Sequence, residues 1–259
     1  MNYFDYTIVI ILGLSFGSFI NVCAIRLPQN KNMIIPSNCM NCKTPIKFYD
    51  NVPFFSYLFL RGKARCCGSK ISLQYPLVEI LTGLVVISIF HQFYYTISSI
   101  LLIYFLLSLI ILFITDLKHY VLPDIITIPL IVIGFLISYL EINPYEINFQ
   151  SSLIAGIFST LSFFIISKSF LYIKKIEGLG IGDVKLICAV GLWTGIEHTL
   201  SIIIFSSISG ILIGLMLISV NKLKRYDYLP FGCFIVFATF LVNFTWMSLD
   251  QDLFSYYLF

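Results

Sequence analysis

Residues 97–116, ISSILLIYFLLSLIILFITD, decide the fold: nineteen residues pass without a charge before Asp116 ends the run. A run this long and this apolar falls within the about 17–25 residues that an α-helix needs to cross a bilayer. Outward from it, comparable runs lie near 6–25, 76–92, 125–140, 151–171, 184–196, 200–219 and 230–249. The chain of 259 residues is 59% hydrophobic and 11% charged, with a mean hydropathy of +0.95. Soluble domains carry roughly 25% charge, so much of this surface has to face lipid. In lipid each backbone polar group must be satisfied within its own segment, which leaves helices as the spanning element. The expectation is an all-α polytopic membrane protein of about eight transmembrane helices.

The one substantial polar region, 26–75, reads as a small cysteine-containing domain between helices one and two. The expected organisation is a first transmembrane helix at 1–25, that domain at 26–75, and a seven-helix membrane domain at 76–259. No internal repeat is visible. The first run reads as a retained helix, because Met1–Tyr6 holds Asp5 and no Lys or Arg, and no small-residue cleavage site follows. With 26–75 in the cytoplasm and the spans alternating, all 16 Lys and Arg fall on the cytoplasmic side or at its interface. Half of them lie in 26–75, and the rest are Lys118, Lys168, Lys174, Lys175, Lys185, Lys222, Lys224 and Arg225. The opposite side holds Glu141, Glu146, Glu197, Asp250 and Asp252. This is the positive-inside pattern, and it puts both termini outside. The partner this predicts is the lipid bilayer; a net charge of +3, with no basic tract interleaved with aromatics, points away from nucleic acid. The run 184–196 is short, about 20 Å of helix against about 30 Å of hydrocarbon, and reads as a short span.

Two acids stand where ionisable groups are costly and therefore candidates for function. Asp116 closes the third run, and Asp183 opens the sixth in Gly178-Leu-Gly-Ile-Gly-Asp183-Val-Lys185-Leu186. A pair of carboxylates hydrolyses a peptide bond without a metal: one accepts a proton from the attacking water while the other donates to the carbonyl oxygen. Gly178, Gly180 and Gly182 allow a substrate backbone to come close. Against this stands a plainer reading, in which an acid at a helix end is an anchor or a cap. Asp183 is placed to cap the helix starting at Val184, and Asp124, after Leu122-Pro123, to cap the one starting at Ile125. Glu79, one turn inside the second span, is a supporting or substrate-binding group or an ion-pair partner of the polar domain. Lys185 is a supporting group near Asp183 or a cation reaching for the interface.

Five blocks in order carry a resemblance: Gly17-Ser-Phe-Ile-Asn-Val-Cys-Ala-Ile-Arg-Leu-Pro28, Tyr75-Pro-Leu-Val-Glu79-Ile-Leu-Thr-Gly83, Asp116-Leu-Lys-His-Tyr-Val-Leu-Pro-Asp124, Gly180-Ile-Gly-Asp183-Val-Lys-Leu186 and Leu229-Pro-Phe-Gly232. Over nearly its whole length the chain resembles the bacterial type IV prepilin peptidases, membrane aspartic proteases with a GxGD motif. The resemblance implies that Asp116 and Asp183 are the catalytic pair and that 76–259 is the peptidase domain. It also implies cleavage of prepilin or pseudopilin leaders at the cytoplasmic face of the bacterial inner membrane, with no cofactor required for hydrolysis. Many members also methylate the new N-terminal amine with S-adenosylmethionine; that activity rests on the resemblance alone, since no GxGxxG loop is present.

Cys39-Met-Asn-Cys42 followed by Cys66-Cys67 suggests a tetrahedral zinc site of paired thiolates. Members of the resembled family read CxxC twice. Here Ala64 stands at the first position of the second pair, so Cys39, Cys42 and Cys67 carry over as metal ligands and Cys66 lies beside the pattern. The alternative is a domain of free thiols held by membrane docking. Three other readings fit parts of the sequence. A transporter or channel using the same acids for protons or cations predicts carboxylates near the midplane. A scaffold predicts that the cysteines matter and the aspartates do not. A presenilin-like relative shares GxGD, but Thr115-Asp116 replaces its Tyr-Asp.

Overall fold

Helices form where the apolar runs lie. The computed structural model describes residues 3–33, 35–175, 178–220 and 229–256. Lys222, Lys224 and Arg225 lie outside the described residues, as do the side chains of Lys174, Asp250 and Asp252. The helices are α1 Tyr3–Arg26, α2 Phe55–Phe59, α3 Gln74–Phe93, α4 Ile97–His119, α5 Asp124–Tyr139, α6 Phe149–Lys174, α7 Ile181–Ser219 and α8 Phe231–Tyr256. Five of them, α1, α3, α4, α6 and α7, are long and apolar enough to cross a membrane, and α5 and the Phe231–Met247 part of α8 are shorter apolar stretches. Among the described residues no strand forms, only two isolated β-bridges. The chain divides into two compact units, Met1–Leu107 and Ser108–Phe259.

In the first unit α1 and α3 run antiparallel, and small residues let them touch. A Cβ on Gly17 would stand 2.5 Å from the Cα of Glu79, and one on Gly13 would stand 2.9 Å from the Cα of Gly83. Close backbone approach through glycine is how membrane helices gain packing where no hydrophobic force drives them together. Asn21, buried in α1, donates to the carbonyl of Tyr75 at 3.2 Å and accepts from Gln74 at 3.3 Å, fixing the register. Arg26 ends α1 by donating to the carbonyls of Asn32, Met33 and Ile35.

The second unit explains the short run at 184–196. It and the run 200–219 form one element, α7, broken at Gly195, whose φ of 70° and ψ of 177° are not helical. The first half packs antiparallel to α6: Ser152 donates to the carbonyl of Leu192, and Ser159 to that of Ile187. The second half runs back beside α8, with Gly210 against Phe234 and Gly214 against Leu229. The two runs are thus separate helices joined by a sharp turn at Gly195. A break in lipid frees backbone groups that must find partners. Ser138 and Ser152 donate to the carbonyl of Leu192, Asn143 donates to that of Trp193, and Ile196 N–H donates to the Ser151 hydroxyl. All these polar groups gather at one end of the unit, opposite the end where α4 stops and α7 starts.

Candidate active site

At that other end Asp116 and Asp183 meet. Asp116 lies in the last turn of α4 and Asp183 in the first turn of α7, both buried. The start of α8 brings them together. A Cβ on Gly232 would lie 2.8 Å from Asp116 Oδ2 and 3.1 Å from Asp183 Oδ1. The two carboxylate oxygens are therefore no more than 5.9 Å apart, the sum of those distances. That is a distance one water spans. The backbone N–H of Cys233, in the first turn of α8, donates to Asp116 Oδ2 at 2.9 Å. A carboxylate at a helix N-terminus meets unsatisfied N–H groups and the positive end of the helix dipole.

Asp183 is not the cap of a helix starting at Val184: α7 starts at Ile181 with Gly180 in the cap position, and Asp183 is its third residue. Its Oδ2 accepts from the Gly180 N–H at 3.2 Å, closing the start of α7, while its Oδ1 faces Gly232 and Asp116. Gly182 lies close to Leu122: a Cβ there would stand 3.1 Å from the Leu122 Cβ. Asp124 does not cap its helix. It is the first residue of α5, with Pro123 in the cap position and no side-chain cap bond. Its carboxylate instead takes the Lys185 ammonium at 2.7 Å in an exposed ion pair. Gly232 and Cys233 were not singled out from sequence, although Leu229-Pro-Phe-Gly232 was the block that placed them.

Glu79 lies in the first unit, buried against Gly17 of α1. Its Oε2 accepts the backbone N–H of Phe54 at 2.7 Å, so its partner in the polar domain is a main-chain amide. Phe54 holds a positive φ of 60°, a conformation that costs a non-glycine residue energy.

The sulfurs of Cys39, Cys42, Cys66 and Cys67 all lie within 4.8 Å of one another. Cys42 and Cys66 are 3.1 Å apart, Cys39 and Cys67 3.7 Å, and Cys66 and Cys67 3.9 Å. Four thiolates on one Zn²⁺ at 2.3 Å would be about 3.8 Å apart, so the set fits the ion. Two equivalent hairpins build it, which corrects the expectation of no repeat. Cys39 N–H bonds the Thr44 carbonyl and Lys43 N–H the Cys39 carbonyl; Ala64 N–H bonds the Ser69 carbonyl and Gly68 N–H the Ala64 carbonyl. Bridges Asn38 to Pro45 and Lys63 to Lys70 close each hairpin, and Lys43 and Gly68 both take positive φ. Ala64 thus occupies the position of Cys39, and Cys66 supplies the sulfur from the position of Asn41. The Cys42 and Asn41 N–H groups hold the Cys39 thiol down to about 6, and Ser69 lowers Cys67. Sharing hydrogen with Cys42 pushes Cys66 up to about 12.

Two family models match. The bacterial peptidase A24 N-terminal domain matches residues 11–93, and the type IV leader peptidase family matches residues 103–215. Curated relatives with the name prepilin leader peptidase/N-methyltransferase match along most of their length. That of Xanthomonas campestris pv. campestris is 31% identical over 90% of this chain and 88% of its own. That of Vibrio cholerae is 36% identical over 80% and 85%, and that of Legionella pneumophila 32% over 94% and 93%. No solved structure matches the chain. With both models matched in order, and relatives above 30% identity covering nearly the full length, the chain belongs to the type IV leader peptidase family.

Proposed function

We propose that the chain is a membrane-embedded aspartic endopeptidase that removes the leader peptides of type IV prepilins or pseudopilins, with Asp116 and Asp183 as its catalytic pair. One observation carries the reading: two carboxylates from helices far apart in sequence are buried and aimed at the same glycine, Gly232. Two acids so close share a proton, because ionising both costs too much. The ionised carboxylate takes a proton from water as its oxygen attacks the scissile carbonyl carbon. The protonated one donates to the carbonyl oxygen. Collapse of the tetrahedral intermediate breaks the C–N bond, and the departing amine takes a proton from the pair. Gly180 and Gly232, which carry no side chain beside the carboxylates, leave room for an extended substrate backbone, while the space at Gly182 is taken by Leu122.

The orientation we propose has the pair at the cytoplasmic face of the bacterial inner membrane, both termini outside, and residues 76–259 as the peptidase domain. The segregation of Lys and Arg supports it. In the polar domain 26–75, Cys39, Cys42, Cys66 and Cys67 would hold Zn²⁺, which when bound cross-links the two hairpins and supplies no chemistry to hydrolysis. The N-methyltransferase in the relatives' names suggests methylation of the new amine with S-adenosylmethionine as a second activity. No glycine-rich loop between strand and helix is present among the described residues, so no residue is assigned to that methyl donor. The test is cleavage of a prepilin-type substrate by the purified chain in detergent, with N-terminal sequencing of the product and EDTA as a control. A cut just before the apolar segment, unaffected by EDTA, is expected. Failure to cut several such substrates while folded would return the chain to the transport or scaffold reading.

A further inference from the structure

Helix α2 turns its apolar face outward. Phe55, Leu58 and Phe59, spaced i, i+3 and i+4, share one side and are 48%, 54% and 84% exposed. Ser56 and Tyr57 are less exposed, and Tyr57 closes over Gly62. The 3₁₀ turn Phe48–Asn51 packs against α2 and adds Phe48, 87% exposed. Such an arrangement is unfavourable in water.

The depth of α2 resolves the conflict. Phe54, the residue before it, donates its N–H to Glu79 at 2.7 Å. Glu79 lies five residues beyond Gln74, the start of membrane-spanning α3. At 1.5 Å per residue that is about 7.5 Å along the helix. Leu77, between those levels, is itself 62% exposed. Interfacial helices bury their apolar face by about 5–10 Å at the boundary of headgroups and acyl chains. Around α2 the charge is one-sided: residues 26–75 hold eight Lys and Arg and a single acid, Asp50. Lys47, Arg61 and Lys63, which flank the aromatic segment in sequence, are exposed.

We infer that α2 and Phe48 form a membrane-surface anchor, which seats the cysteine-containing domain in the lipid leaflet with its aromatics among the acyl chains and its cations on anionic phospholipid headgroups. The anchor is fastened from below by the Glu79–Phe54 bond, so the domain has a fixed height rather than swinging on its linkers. The inference does not depend on what the dyad cleaves.

The test places a photo-crosslinking benzoylphenylalanine at Phe48, Phe59, Leu84 or Asn41 of the full chain, in nanodiscs of phosphatidylcholine with and without phosphatidylglycerol. Leu84 lies in mid-α3 and is exposed, so it reports lipid; Asn41 lies on a cysteine hairpin. The expected result is lipid adducts at Phe48 and Phe59 as at Leu84, more with phosphatidylglycerol, and none at Asn41. Lipid adducts at Leu84 alone would overturn the anchor. So would adducts at Phe59 to protein, either a second copy or an added prepilin, which would make the face a protein-docking surface. Adducts at all four positions would overturn it as well, since the face would then have no special contact with lipid.

Discussion

Replacing Gly232 with alanine separates catalysis from folding. The new methyl carbon would lie 2.8 Å from Asp116 Oδ2, 3.1 Å from Asp183 Oδ1 and 3.1 Å from the Leu122 side chain. Carbon and oxygen rest at about 3.3 Å, so each carboxylate must give by a few tenths of an ångström. Both obstructing oxygens end rotatable side chains, so the backbone of α8 has no need to move and the fold should survive. A catalytic group tolerates only about 0.5 Å of displacement, and a misplacement of about 1 Å costs about 10²-fold in rate. Gly232→Ala is therefore expected to lose roughly 10- to 100-fold in kcat, with little change in melting temperature. Gly210→Ala is the control: its Cβ meets nothing nearer than 3.5 Å, and near-normal activity is expected. The assay is steady-state cleavage of a prepilin-type peptide in detergent, beside circular dichroism melts of each variant. A folded Gly232→Ala enzyme cutting at the wild-type rate would refute the reasoning, because the reacting centre would then not lie between those two oxygens.

Further outcomes follow from other contacts. Gly195→Ala puts a side chain at φ 70° and within 3.0 Å of Ile147 and Ser151, and is expected to cost about 1–3 kcal/mol in a detergent melt. Gly17→Ala meets backbone, the Glu79 Cα at 2.5 Å, and should lower stability by about 1–3 kcal/mol or more by forcing α1 from α3. Cys66→Ser should lower bound zinc measured by elemental mass spectrometry, and adding Ala64→Cys to it should restore the metal, because Ala64 stands where the first hairpin has Cys39. The exposed Lys185–Asp124 pair is expected to give a coupling of only about 0.5 kcal/mol in a double-mutant cycle of melting temperatures.

The membrane helices were legible because lipid imposes length and apolarity on each span, and the observed ends differ from the sequence expectation by a few residues. The short run 184–196 is a helix of its own because Gly195 breaks α7, with the partners of the broken turn supplied by Ser138, Asn143, Ser151 and Ser152. Asp116 and Asp183 were legible as costly acids, but their convergence was not, since it depends on α8 arriving with Gly232 between them. Nothing periodic marks such a meeting of three helices. The paired hairpins were hidden for another reason. They share backbone hydrogen bonds but little side-chain identity: Ala64 replaces Cys39, and only Cys42 and Cys67 align. The bond from Phe54 to Glu79 was invisible because one partner is a main-chain amide, which any residue supplies.

The most direct test of the central claim is single-turnover cleavage of a prepilin-type substrate by Asp116→Asn and by Asp183→Asn, each purified in detergent and verified as folded. Each asparagine keeps the size of the side chain and removes its ability to exchange a proton. The account predicts that either change alone lowers the rate by about 10²–10⁴-fold, while substrate binding persists. Near-wild-type cleavage by either folded variant would contradict it, and the hydrolysis would then belong to other residues.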